Sequence, residues 1–227
     1  MGRTHAGPRF VGEGRLVTRT NDPERTKADI LAMATREFSE NGYSGGRIDE
    51  IAERTKTSKR MIYYYFGSKD GLYRAVLTEY YRKLRSEEQE LHLEDLPPLD
   101  AMKRLVHFTI DYHIKNAEDV RLVMVENIHR GRHIQELPSL ETLNSSLVAL
   151  IGRLCERGVA EGVIRPGLDP MDVYMSIAAL SYFNVSNRYT FSTIFGVDMG
   201  SKAFLASRKR SITDTILRYI AADPTKL

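Results

Sequence analysis

The chain has 227 residues, 42% hydrophobic and 28% charged, ordinary proportions for a water-soluble protein with room for a small module and a larger one. No run approaches the ~20 apolar residues of a membrane span. Residues 1–21 carry Arg3, Arg9, Arg15 and Arg19 without the apolar stretch of a secretory leader, so a cytoplasmic protein is expected. The single Cys155 excludes a disulfide framework and a cysteine metal site. The net charge of +3 lies entirely in residues 1–90, which hold 17 Lys/Arg against 14 Asp/Glu; residues 91–227 hold 16 of each. That asymmetry hints at a polyanion partner for the N-terminal part.

Residues 1–21 lack periodicity and read as a disordered basic arm. A helix is predicted from Pro23, capped by Asn21 or Asp22, with Ile30, Leu31, Ala34 and Phe38 on one face and a stop at Asn41-Gly42. Two short helices follow, about Ile48–Thr55 and Lys59–Tyr65. Ser68 caps a longer one to about Glu90, striped by Leu72, Val76, Leu77, Tyr80 and Leu84. After Pro97-Pro98 every periodic segment reads as helix: Leu99–Lys115, Ala117–His129, Ser139–Gly158, Pro170–Phe195 and Ser201–Ala221. Gly162–Pro166 is a turn or a short extended piece, no run requires a sheet, and no repeat recurs. The predicted class is all-α.

The informative stretch is FSENGYSGGRIDEIAERTKTSKRMIYYYFGSKDGL, Phe38 to Leu72. Two short helices around a tight turn, braced by longer ones, describe a helix-turn-helix, whose second helix fits the DNA major groove. Ile48, Ile51 and Ala52 of the first helix point inward, as do Met61, Ile62, Tyr65 and Phe66 of the second. Thr57, Ser58, Lys59, Arg60, Tyr63 and Tyr64 then face outward, with hydroxyls, cations and phenols suited to phosphates and base edges.

The order Phe38, Gly42, Tyr43, Ile48, Ile51, Ala52, Ser58, Lys59, Ile62, Tyr63, Tyr65, Phe66, Ser68, Lys69 and Leu72 resembles the TetR family of one-component repressors, without a gap. The resemblance implies a three-helix DNA-binding domain (22–67), then a helical ligand-binding and dimerisation domain (68–227) that begins with a connecting helix (68–90). It also implies that Lys59 and Arg60 reach base edges, while Thr57, Ser58, Tyr63 and Tyr64 touch phosphates or bases. On the same resemblance Lys69 is expected to hold phosphate at a helix N-terminus, and Arg47 sits where relatives touch the backbone. Three departures stand out: Lys56 replaces a turn glycine, so the turn must accept a non-glycine residue, with a positive φ as one option, Thr57 replaces an apolar residue, and Arg60-Met61 replace small ones.

In the second region Met102, Phe108, Tyr112, Met124, Asn127, Tyr174, Phe183 and Asn187 are candidates to line an effector cavity between helices. The stretch Ser181–Gly196 resembles the eighth helix of TetR-like repressors of catabolic gene clusters, a dimer-forming helix. On that resemblance Val173, Ile177, Leu180, Leu205, Ile212, Ile216 and Ile220 are expected to form the homodimer seam, with packing inside one chain as the alternative. His107, His113, His129 and His133 form no known zinc pattern, so no metal and no cofactor is expected. The expected partners are operator duplex DNA, a small-molecule effector and a second copy, with no membrane. A repressor released by its effector is the leading function. A TetR-like activator is the alternative, and a helical enzyme stands further back, since no phosphate loop, nucleophile elbow or paired catalytic carboxylates occur.

Overall fold

The computed structural model describes residues 22–137 and 139–227, without the side chains of 139–144. The expected basic arm, residues 1–21, lies outside the described residues. Ten α-helices follow in order: α1 (Pro23–Gly45), α2 (Ile48–Thr55), α3 (Lys59–Phe66), α4 (Lys69–Gln89), α5 (Pro98–Lys115), α6 (Ala117–Ile128), α7 (Ser139–Ala160), α8 (Pro170–Ser186), α9 (Arg188–Phe195) and α10 (Lys202–Ile220). Among the described residues no strand forms beyond an isolated bridge, Ile164 to Ala221. There Arg165 N–H donates to the Ile220 carbonyl at 2.9 Å and Ala222 N–H to Val163 at 3.0 Å, pinning the end of α10 to the 162–166 turn.

Local chemistry sets the helix ends. Asp22 caps α1 by accepting from the backbone N–H groups of Glu24 (3.1 Å) and Arg25 (3.2 Å), ahead of Pro23. The predicted stop at Asn41-Gly42 is a kink instead. Gly42 leaves helical geometry at φ 69°, and one further turn reaches Gly45. The predicted 170–195 helix is two helices. The backbone of Asn187 departs from α geometry (φ −105°, ψ 7°), and its side-chain amide bonds Ser186 Oγ at 2.8 Å, a local alternative to continuing the helix.

Two hydrophobic clusters organise the packing. The first takes Ile30, Ala34 and Phe38 from α1, Ile51 from α2, Ile62 from α3, and Leu72, Tyr73 and Leu77 from α4, together with Leu122 of α6. The second joins α5, α7, α8 and α10 through Met102, Leu105, Ile151 and Leu154 among others. The residues expected to form a dimer seam belong mainly to this second cluster. Val173, Ile177, Ile212, Ile216 and Ile220 are at most 1% exposed within one chain, so none of them faces a partner. The reason is register: a four-residue step carries Ile212, Ile216 and Ile220 down the one face of α10 that its own protomer covers. Leu180 is half-buried against the same cluster, and Leu205 is half-buried beside a small cavity. The outward face of α8 instead presents Met171, Met175, Ala179 and Phe183.

Candidate functional site

The turn between α2 and α3 works without its glycine. Lys56 adopts the left-handed conformation at φ 52°, ψ 37°, its N–H bonded to the Ala52 and Glu53 carbonyls. A side chain held there costs roughly 1 kcal/mol, and Thr57 N–H closes the turn onto Ala52 at 2.9 Å. Ser58 then caps α3, accepting from Met61 N–H at 3.2 Å. Ile62 is fully buried against α1, α2 and α4, which fixes the opposite face of α3 toward solvent.

That face carries the residues singled out by sequence, in two states. Among the described residues the exposed Arg60 has no ion pair or hydrogen bond, Tyr63 is 44% exposed and Tyr64 is 77% exposed. Large phenols left so open on a short helix are available for contact. The other cations are engaged within the chain. Lys59 Nζ lies 2.5 Å from Asp49 Oδ1, and Arg47 lies 3.4 Å from Glu50. Lys69 Nζ donates to the Ser44 carbonyl at 3.2 Å and sits 5.0 Å above the Tyr43 ring. Thr57 is half-buried. Asp49 thus restrains Lys59 of α3 and adds negative charge beside the candidate phosphate surface. Asp49→Asn is expected to tighten DNA binding by roughly 2- to 5-fold, the scale of one exposed ion pair, measured by fluorescence anisotropy at fixed salt.

Behind this face a polar junction ties α1 and α4 to the turn after α6. Tyr43 donates to Asp70 Oδ1 at 2.7 Å, and the buried His133 ring lies 2.9 Å from Glu126 Oε2 and 3.5 Å from Asp70 Oδ1. Burial alone would raise the Glu126 carboxyl, but hydrogen bonds from the His133 ring and the His133 and Ile134 N–H groups hold it below the ordinary range. The Tyr43 hydrogen bond lowers Asp70 likewise.

Known proteins match this arrangement. Residues 30–76 fit the description "Bacterial regulatory proteins, tetR family", and residues 98–216 fit "Tetracyclin repressor-like, C-terminal domain". The chain belongs to the TetR family. It is 36% identical over 200 residues to the HTH-type transcriptional repressor NicS of Pseudomonas putida, covering 88% of this chain and 94% of that one. It is 30% identical over 166 residues to the HTH-type transcriptional repressor SCO4008 of Streptomyces coelicolor, covering 72% and 80%. In three dimensions it resembles a tetR-family regulatory protein from Rhodococcus RHA1 (TM-score 0.69, 20% identity, 88% and 99% covered). It also resembles the putative transcriptional regulator SCO4942 of Streptomyces coelicolor (TM-score 0.66, 22% identity, 86% and 98% covered). This TetR-family chain is therefore a DNA-binding transcriptional regulator with a helix-turn-helix and an all-helical C-terminal region. Among the described residues no helix is long and apolar enough to cross a membrane, and no group of three or more His, Cys, Asp or Glu could hold a metal.

The eight residues proposed to line an effector cavity do not converge. Asn127 is exposed, with its amide on the Val123 carbonyl at 2.9 Å, and Phe183 is 41% exposed, so neither is buried between helices. Met102 is fully buried in the core, and Asn187 serves the α8–α9 break. Met124 lines a cavity of about 140 Å³ with Leu205 and Asn184. Phe108 and Tyr112 pack together with ring centroids 5.6 Å apart. Tyr174 accepts a 3.1 Å hydrogen bond from Arg85 Nη2. Sequence reasoning missed this Arg85 and its partner Glu88, both about 5% exposed or less and in direct contact through Nη1 and Oε2. Register could have found Glu88: the stripe Leu77, Tyr80, Leu84 continues by four residues onto it.

Proposed function

We propose that this protein is a homodimeric repressor that reads an operator with α3 of each protomer and releases it when a small molecule binds within residues 68–227. The exposed Arg60, unpaired among the described residues, beside Tyr63 and Tyr64 on a helix capped at its groove-facing end, is the observation that carries the reading. The 36% identity to a named repressor over nearly the whole chain supports the sign of regulation. The apolar stripe Met171, Met175 and Phe183 on α8 supports pairing with a second copy, since a contiguous exposed apolar face commonly marks an interface. A soluble protein acting in the bacterial cytoplasm fits such a role.

Operator mapping by footprinting, followed by transcription from the mapped promoter with and without the protein, tests this reading. We expect protection of two half-sites about one helical turn apart and reduced transcript. Increased transcript would establish an activator instead, and no protected sequence would sink the proposal.

A further inference from the structure

A guanidinium deep inside a helical domain needs an explanation, because taking a charge out of water costs several kcal/mol unless partners replace the solvent. Arg85 is 4% exposed and sits near the C-terminal end of α4, the helix that leads from Ser68 beside the candidate DNA surface. Its donors outnumber its acceptors: Nη1 meets Glu88, Nη2 meets the Tyr174 hydroxyl, and Nε has no partner among the described residues. Glu88 is a weak counter-charge, since burial pushes its carboxyl up to about 7 against the opposing pull of Arg85.

Both side chains border a cavity of about 280 Å³ between α4, the 93–95 turn and α7, with Leu93, Leu147 and Leu150 as apolar walls. Of the acids on its rim, Glu94 is already paired with Arg153 at 2.6 Å, and Asp95 is exposed to water. The charge short of acceptors is therefore the buried one, where screening is weakest.

We propose that this cavity is the effector site and that the effector is a small carboxylic acid, whose carboxylate takes the open donors of Arg85 in competition with Glu88. The inference rests on the effector-controlled reading above and gives it a place and a ligand class. A volume near 280 Å³ lies at the lower end of small-molecule sites and admits one ring with short substituents. A planar carboxylate fits the flat fork of guanidinium donors, whereas an amide of the same shape brings one acceptor oxygen and an NH₂ that faces like donors. Re-pairing Arg85 also disturbs the end of α4, one rigid helix away from Lys69 at its start.

The test uses the full-length protein with sodium benzoate, phenylacetate and 4-hydroxybenzoate, each beside its primary amide, read by calorimetry and by operator release in fluorescence anisotropy. The acids should bind and release operator, and the amides should bind at least roughly 10-fold more weakly, the scale of a charge-assisted hydrogen bond. Arg85→Met should lose the preference for acids, with circular dichroism reporting whether it is folded. If it is not, Glu88→Gln decides, because deleting the competing carboxylate should tighten benzoate binding.

The pH profile separates a role in binding from one in packing alone. Benzoate stays ionised above pH 6, so its affinity should rise as pH falls from 8 to 6 and Glu88 gains its proton, and this slope should vanish in Glu88→Gln. Arg85, Glu94, Asp95, Arg153 and the exposed His92 face the cavity, Tyr174 reaches Arg85 from α8, and His113 approaches from α5. Burial, then Arg85, drives His113 to about 4, which keeps it neutral in this window. His92→Asn removes the remaining imidazole and should leave the slope intact. Amides acting as well as acids, acid binding unchanged in a folded Arg85→Met, or no binding by any of the three acids would each overturn the proposal. Effector control itself is judged separately, by whether any compound of a broad metabolite collection releases operator.

Discussion

Replacing Arg60 and Tyr63 together by alanine should weaken operator binding by at least about 100-fold, at ~1–3 kcal/mol for each lost base or phosphate contact in each half-site. Both side chains are exposed, whereas Ile62 on the opposite face is fully buried. Stability should therefore change by no more than about 0.5 kcal/mol, the usual range for surface positions. Anisotropy with operator and with scrambled duplex, beside a thermal melt, measures both quantities. An intact double variant that still binds operator at wild-type affinity would remove α3 as the reading element. A parallel loss of melting temperature would show that these two side chains hold the fold.

A second contrast separates the inside of the C-terminal bundle from its outside. Ile216→Ala should destabilise the protein by ~2–5 kcal/mol, because the removed methyls leave a cavity among packed helices. Ile216 is 1% exposed between α5, α8 and α10, which is why this loss should appear at any protein concentration. Met175→Glu is expected to act differently. Met175 is 58% exposed in one chain, so a carboxylate there stays solvated in the monomer but is stranded if a second copy covers α8. The variant should keep its helicity, sediment as a monomer at micromolar concentration and lose operator affinity. A fully dimeric Met175→Glu protein would place the interface elsewhere.

The sequence was most legible where a residue type answers a local demand. Asp22 before Pro23 and Ser68 each cap the helix they precede, and Lys56 takes a left-handed turn in place of the family's glycine. Legibility failed where the answer depends on what lies across a gap. An isoleucine ladder on α10 reads the same whether its own chain or a partner covers it, and here its own chain does. A helix containing Asn184 and Asn187 reads as continuous until the backbone turns at Asn187. Glu88 carries the register of a buried residue, but its charge is the mark of a surface one, and the Arg85–Glu88 pair shows itself only in the folded chain.

The packing of Leu122 beneath the DNA-reading helices has a consequence for how such regulators can be recombined. Leu122 belongs to α6, yet it is fully buried in the cluster that holds α1 to α4, with Ile134 and Leu137 from the following turn packed against the same cluster. A reading head cut at residue 67, or even at 90, would leave behind part of its own interior. Grafting this head onto another regulator's body would therefore transplant a socket without its plug. Chimeras that carry α6 and residues 129–137 along with the head should be the ones that assemble, because these segments complete its hydrophobic core.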